Sequence, residues 1–124
     1  MTVGPQAHLI DDDDAVRDSL CMLLEVEGIA ISAYASAEAF LRAASTAGDC
    51  VVTDAQMPGL GGVGLMQTLR ARGLEIPVIL ITGRMESAVR AQALALGAFR
   101  LVEKPFAPDE ILGAVRAALD AGKR

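Results

Sequence analysis

The stretch HLIDDDDAVR, residues 8–17, places four consecutive aspartates between a short apolar run and the beginning of a helical pattern. The apolar segment Ala7–Ile10 predicts a short strand. From Ala15 to about Glu27, apolar residues recur at the spacing of one helical face. Adjacent carboxylates repel one another, so a chain that puts them between a strand and a helix needs a cation or a chemical role for them.

The same change from strand to helix occurs five times along the chain. Pro77–Ile81 is an unbroken apolar run, which is typical of a parallel strand covered on both faces. The other predicted strands are Ile29–Tyr34, Cys50–Thr53 and Phe99–Val102. The other predicted helices run from Ser36 to about Ser45, from the end of the glycine-rich loop 57–62 to Gly73, from about Glu86 to Leu96 and from Pro108 to about Ala121. Gly28, Gly73 and Gly97 are expected to end the first, third and fourth helices. This alternation predicts an α/β fold: a flavodoxin-like, doubly wound (βα)5 domain with five parallel strands in the order 2-1-3-4-5.

Length and composition favour one globular domain over residues 1–124. The chain is 52% hydrophobic, with a net charge of −5, which argues against direct binding of nucleic acid because phosphate contacts need a basic surface. No apolar run approaches the roughly 18 residues of a membrane span, and the N-terminus lacks the pattern of a signal peptide. We therefore expect a cytoplasmic protein that makes no contact with a membrane.

Polar residues follow the predicted strands at the edge where such folds carry their sites. Asp11 and Asp12 follow the first strand, Asp54 the third, Thr82 the fourth and Lys104 the fifth. Three carboxylates on one rim repel by about 4 kcal/mol per close pair at an intermediate dielectric constant. A hard cation with oxygen ligands, Mg²⁺, would offset that repulsion together with the lysine. This combination suits a phosphoryl group that a carboxylate attacks.

Each of these residues also has an ordinary structural explanation. Aspartates after a strand commonly cap the next helix, and Asp13 or Asp14 is expected to cap the first one. A single lysine or threonine at a strand end is usually just solvated. Only the presence of all five residues on one rim therefore indicates a functional site.

Four motifs resemble those of the response-regulator receiver domains of two-component signalling, most closely the receivers of LuxR-type transcription factors. They are DDDDAVR at 11–17, DAQMPGLGG at 54–62, ITG at 81–83 and EKPF at 103–106. The resemblance extends over essentially the whole chain. It implies that Asp54 accepts a phosphoryl group from the phosphohistidine of a sensor histidine kinase. It also implies that Asp11, Asp12, Asp54 and the backbone carbonyl of Gln56 hold Mg²⁺.

The resemblance implies further roles on the fourth and fifth strands. Thr82 would bond a phosphoryl oxygen, and Lys104 would pair with the phosphate across a cis Lys104–Pro105 bond. Leu101 occupies the position where the family usually has Phe or Tyr, which moves inward together with Thr82. Leucine is smaller than Phe or Tyr and has no hydroxyl. The conformational change that couples Thr82 to Leu101 is therefore expected to be weaker than usual in the family.

The resemblance also bears on output. Residues 120–124 are expected to begin a linker to an absent output domain, and any contact with DNA would pass through that domain. Helix 4, strand 5 and helix 5 would form the output face, which could pair with a second copy after phosphorylation. We expect the domain to promote its own phosphorylation and dephosphorylation without being an enzyme in the ordinary sense.

Three alternatives remain open. A phosphohydrolase of the haloacid-dehalogenase type would use Asp12 as its nucleophile, because Asp12–Val16 fits the pattern D-x-D-x-[TV]. A flavodoxin would need a phosphate-binding loop after strand 1, where four carboxylates would repel the phosphate. A degenerate receiver that acts only as an interaction module would be expected to lack Asp54 or Lys104, and this sequence has both.

Overall fold

Five parallel strands form one sheet in the order β2-β1-β3-β4-β5, and the predicted fold class is confirmed. The structure is a computed structural model that describes residues 6–43, 50–57, 59–83 and 87–122. The strands are β1 (Ala7–Ile10), β2 (Ile31–Tyr34), β3 (Cys50–Asp54), β4 (Val78–Thr82) and β5 (Arg100–Glu103). The helices are α1 (Asp14–Val26), α2 (Ala37–Ala43), α3 (Gly62–Ala71), α4 (Ser87–Ala95) and α5 (Pro108–Gly122).

The core has two apolar layers, one on each face of the sheet. Successive side chains of a strand point to opposite faces, so strands buried on both sides need apolar residues at every position. One layer joins the sheet to α1 and α5, and its helical members include Leu20, Leu24, Ile111 and Val115. The other joins it to α2 and α3 through Phe40, Leu65, Met66 and Leu69.

Three of the helices end at a glycine with positive φ. Gly28, Gly73 and Gly97 have φ of 81°, 78° and 82°, a conformation that glycine adopts without a Cβ penalty. At the third of these ends Gly97 N donates to Leu94 O at 3.0 Å, and Ala98 N donates to Ala93 O at 2.9 Å. The predicted helix stops are confirmed at all three positions. None of the helices in the described part of the chain combines the length and apolar character of a membrane span.

The other helix limits show how local bonds compete. Ser36 Oγ accepts from Ala39 N at 3.1 Å, so the predicted cap of α2 is confirmed. Ile29, predicted as strand, instead donates its N–H to Leu24 O at 3.1 Å and closes α1, so β2 begins two residues later. The predicted limits at Ser45 and Glu86 lie outside the described residues.

The register brings the ends of four strands together. Ile10 pairs with Thr53, Asp54 pairs with Ile81, and Thr82 pairs with Glu103. The residues at or just after these ends therefore emerge at the same side of the sheet. We call this side, with Asp11, Asp54, Thr82 and Lys104, the carboxyl edge.

Candidate functional site

Asp11 is the one member of the aspartate run that is buried at the carboxyl edge. Its side chain and backbone together are 3% exposed, whereas Asp12 is exposed. The N–H of Asp11 donates to Tyr34 O at 3.1 Å, which extends the pairing of β1 with β2 by one residue. Its Oδ1 accepts from Asp13 N at 2.9 Å. Backbone bonds on both sides therefore set where the carboxylate lies.

Asp13 has a different task. Its Oδ1 accepts from the N–H groups of Ala15 at 2.9 Å and Val16 at 3.2 Å, which satisfies donors that the first turn of α1 leaves open. The predicted cap is confirmed, and Asp13 is the residue that supplies it. The run therefore divides between a buried carboxylate at the edge and a cap for the helix.

Arg17 also shapes this loop, and we did not predict its role. Its Nη1 donates to the carbonyl of Asp11 at 2.7 Å, and its Nη2 pairs with the carboxylate of Asp14. The guanidinium therefore pins the loop and offsets part of its negative charge. An arginine three residues after an aspartate on a helix is a common pairing, which accounts for Asp14 but not for the contact with Asp11.

Asp54 and Lys104 meet across the end of β4, the one strand that lies between β3 and β5. Lys104 Nζ donates to Asp54 Oδ2 at 3.0 Å, and the two side chains are 37% and 12% exposed. The other oxygen, Oδ1, accepts from Gln56 N at 3.0 Å. Asp54 is thus oriented by an ammonium on one side and its own loop on the other, with its carboxylate still reachable from solvent.

The three carboxylates are close enough to influence one another. The pKa of Asp11 is raised above its ordinary value of 3.8, mainly because burial disfavours its charge, and further by the charges of Asp54 and Asp12. The bond from Asp13 N and the charge of Lys104 oppose this rise. The charges of these carboxylates thus act on one another at the carboxyl edge, and Lys104 contacts one of them, Asp54.

Thr82 and Leu101 lie on neighbouring strands at or near this edge. Thr82 is 1% exposed, and its carbonyl accepts from Lys104 N at 2.8 Å, which ties β4 to the residue that reaches Asp54. Leu101 is half-buried and pairs with Leu80. The predicted cis Lys104–Pro105 bond is confirmed. The switch role of Thr82 and Leu101 stays a prediction.

The loop after Asp54 requires a glycine where it enters α3. A Cβ at Gly62 would lie 2.5 Å from Leu80 Cδ1 and 2.8 Å from the carbonyl oxygen of Asp54, distances that no side chain tolerates. The same loop is held from α2, where Glu38 Oε2 accepts from Leu60 N at 3.2 Å. Because Gly62 has no side chain, α3 can begin in direct contact with the backbone of Asp54.

The donor set at the carboxyl edge fits Mg²⁺ in chemistry. Asp11, Asp12, Asp54 and the carbonyl of Gln56 offer only oxygen, which is what this ion prefers. Within the described residues, no group of three or more His, Cys, Asp or Glu side chains is arranged as a metal cage. Mg²⁺ ordinarily uses one or two carboxylates and keeps several waters, so a site of this kind does not need such a cage.

An apolar groove runs beside the carboxyl edge, between the first turns of α1 and the segment that follows Lys104. Its volume is about 380 Å³. The residues that line it are Ala15, Val16, Ser19, Leu20, Leu23, Phe106 and Pro108. An opening with this lining suits an apolar ridge of another molecule.

Comparisons with known proteins point to one family. The family model described as "Response regulator receiver domain" matches residues 7–116. The transcriptional regulatory protein FixJ of Azorhizobium caulinodans is 47% identical over 113 residues, which cover 90% of this chain and 54% of that protein. The response regulator protein TodT of Pseudomonas putida is 34% identical, and the match covers 90% of this chain and 50% of that protein. The chain thus spans about half the length of these relatives.

Solved structures agree. The structure titled FixJ-N superposes with a TM-score of 0.83 at 33% identity and covers 96% of each chain. Full-length FixJ from B. japonicum superposes with a TM-score of 0.86 at 34% identity, covering 98% of this chain and 61% of that one. Fold, motifs and relatives agree, and this chain belongs to the response-regulator family as a receiver domain of two-component signalling.

Proposed function

We propose that Asp54 is the phosphoacceptor of this receiver. The observation that carries the proposal is the Lys104 Nζ–Asp54 Oδ2 contact of 3.0 Å at the carboxyl edge. In the step, a carboxylate oxygen of Asp54 attacks phosphorus and the phosphorus–nitrogen bond of a phosphohistidine breaks. The bonding electrons go to the imidazole nitrogen that carried the phosphorus, and a proton on the other ring nitrogen keeps the departing histidine neutral. The products are an acyl phosphate on Asp54 and a neutral histidine. This chemistry is nucleophilic catalysis by a carboxylate.

The residues around Asp54 would promote this step. Lys104, already beside Asp54, would pair with the phosphoryl oxygens as negative charge accumulates on them. Thr82 would donate its hydroxyl to one phosphoryl oxygen, and Leu101 would respond to that change through the neighbouring strand. The same residues would let the domain take a phosphoryl group from a small donor and release it again to water.

Mg²⁺ is the metal that we propose for this site. When bound, it would neutralise charge on the phosphoryl oxygens and on the carboxylates that repel one another. Asp11, Asp12, Asp54 and the carbonyl of Gln56 would hold it. Asp11 is oriented for this by the bonds from Asp13 N and to Tyr34 O.

The test is intact-mass spectrometry after incubation with acetyl phosphate, with and without Mg²⁺. One added phosphoryl group is expected for the wild type only when Mg²⁺ is present, and none for Asp54→Asn. The Asp12→Asn variant addresses the dehalogenase-type alternative. Phosphorylation that persists in Asp54→Asn and disappears in Asp12→Asn would replace the receiver chemistry by that of a phosphohydrolase. No modification under any condition would point to a degenerate module.

The phosphoryl donor in the cell would be a sensor histidine kinase. We propose that it docks on the apolar groove, because the donor must bring its phosphorus to Asp54 and the groove flanks that position. Ser19 is exposed within the lining, so Ser19→Trp would fill the groove without disturbing the core. Labelling by acetyl phosphate should be unchanged, whereas transfer from the kinase should fall at least about 10-fold. Equal loss with both donors would argue against this docking site.

Output is proposed to pass through α4, β5 and α5, which could pair with a second copy when Asp54 is phosphorylated. Residues 120–122 of the predicted linker belong to α5. The chain would continue beyond this helix into a linker, and binding to DNA would belong to a further domain of the whole protein, which we place in the cytoplasm. The transcriptional regulators among the relatives support this assignment. Sedimentation velocity with and without acetyl phosphate and Mg²⁺ would reveal the phosphorylation-dependent dimer.

A further inference from the structure

Arg70 donates hydrogen bonds to four backbone carbonyls on the side of the sheet opposite to the carboxyl edge. It lies near the end of α3, and its Nη1 donates to Leu74 O at 2.9 Å and Ile76 O at 3.0 Å. Its Nε donates to Leu96 O at 2.9 Å, and Nη2 lies 3.4 Å from Gly97 O. The first two carbonyls lie between α3 and β4, and the other two lie between α4 and β5.

The two carbonyls after α4, those of Leu96 and Gly97, lie at the C-terminal end of that helix. The last carbonyls of a helix have no partner within the helix and carry partial negative charge. A guanidinium therefore satisfies them by hydrogen bonding and by charge. Because the planar group presents its donors in a fixed fork, one side chain can join two chain segments in a single geometry.

Packing holds α4 less firmly than it holds the other long helices. Among the α4 residues whose side chains the structure describes, only Ala93 is buried, and Leu94 is 53% exposed. By contrast, α5 buries Ile111, Ala114, Val115 and Ala118. An alanine buries little apolar area, so polar contacts matter more for the placement of α4.

We propose that Arg70 is the positioning residue that fixes the C-terminal end of α4. With that end held against α3 and the start of β4, displacement of α4 in response to Asp54 would pivot about Leu96 and Gly97. Arg70 would thereby set how a change at the carboxyl edge becomes a change of the output face. This last step rests on the proposed function, whereas the anchoring of α4 does not.

Hydrogen exchange of the unphosphorylated protein, read by mass spectrometry or NMR, tests the anchor directly. In Arg70→Gln, the amides of Leu96, Gly97 and Ala98 should exchange at least about 10-fold faster than in the wild type, because the end of α4 opens locally. Amides of β1 and β3 should keep their protection. The control is Arg72→Gln, since Arg72 is exposed and its side chain bonds to no other described residue; it should leave all these rates unchanged.

Arg70→Lys covers the case in which Arg70→Gln does not fold. It keeps the charge but has one nitrogen, which cannot reach all four carbonyls, so the same amides should again exchange faster than in the wild type. Exchange at these amides that equals the wild-type rate in the folded variants would overturn the anchor. If acetyl phosphate with Mg²⁺ modifies no variant while the amides still respond to Arg70, the proposed phosphorylation fails and the anchor stands.

Discussion

The two ends of the parallel strands differ in how charged side chains are paired. At the carboxyl edge, the ammonium of Lys104 contacts Asp54, and the pKa of Asp11 is raised by burial and by the charges of Asp54 and Asp12. At the opposite side of the sheet, just before β4 and β5 begin, the guanidinium of Arg70 donates to backbone carbonyls. The first arrangement keeps an excess of negative charge that a cation and a phosphoryl group could use. In the second arrangement, the guanidinium and the carbonyls satisfy one another within the same chain, which suits a structural anchor.

Removal of the ammonium at the carboxyl edge should have the largest effect. In Lys104→Met, the rate of labelling by acetyl phosphate with Mg²⁺ should fall about 100-fold, because one donor to the developing phosphoryl charge is gone. Time courses of intact mass measure it. Arg100→Met removes a cation of β5, the strand that precedes Lys104, and the guanidinium of Arg100 lies over the Phe99 ring. This variant should be labelled at the wild-type rate. If both variants were labelled equally slowly, Lys104 would act only through the net charge of the protein and not through its contact with the phosphoryl group.

The helix cap should be separable from the site that adjoins it. Asp13→Ala should lower the free energy of unfolding by about 1 kcal/mol, since two N–H groups of α1 lose their acceptor. Asp13→Ser retains an acceptor and should recover most of that loss in urea titrations. Both variants should still be labelled by acetyl phosphate. A loss of labelling in the serine variant would place Asp13 in the site and not only in the cap.

The repulsion at the carboxyl edge should appear as a dependence of stability on pH. Because the pKa of Asp11 is raised on folding above 3.8, the folded state binds more protons than the unfolded state above that pH. The stability that Asp11 contributes is therefore fully present below pH 3.8 and is lost as pH rises through the pKa of the folded state.

Asp11→Asn keeps an acceptor for Asp13 N and removes the charge. In metal-free buffer at pH 7 it should be more stable than the wild type by about 0.5 kcal/mol, and the difference should shrink in acid. Thermal unfolding at several pH values measures it, and Asp12→Asn, at an exposed position, should show a smaller gain. A wild type more stable than Asp11→Asn at neutral pH would contradict a repulsive edge.

Local sequence patterns predicted most of the secondary structure of this protein. Periodicity indicated five strands and five helices, and the glycines at 28, 73 and 97 marked helix ends because a positive φ is a property of the residue itself. Strand limits were less predictable. Ile29 has the character of a strand residue, yet its N–H closes α1, and propensity does not reveal which of two partners an N–H will choose.

The sequence by itself determined the layered α/β architecture and the residues that reach the carboxyl edge, because alternating elements and strand-end motifs are encoded within short windows. Only the tertiary structure decided which aspartate is buried and which caps a helix, and that Arg17 and Arg70 bind carbonyls. The bonds of Arg70 to Leu96 and of Lys104 to Asp54 join residues 26 and 50 positions apart. Such pairs depend on how the helices pack on the sheet, and no local pattern of residues contains that information.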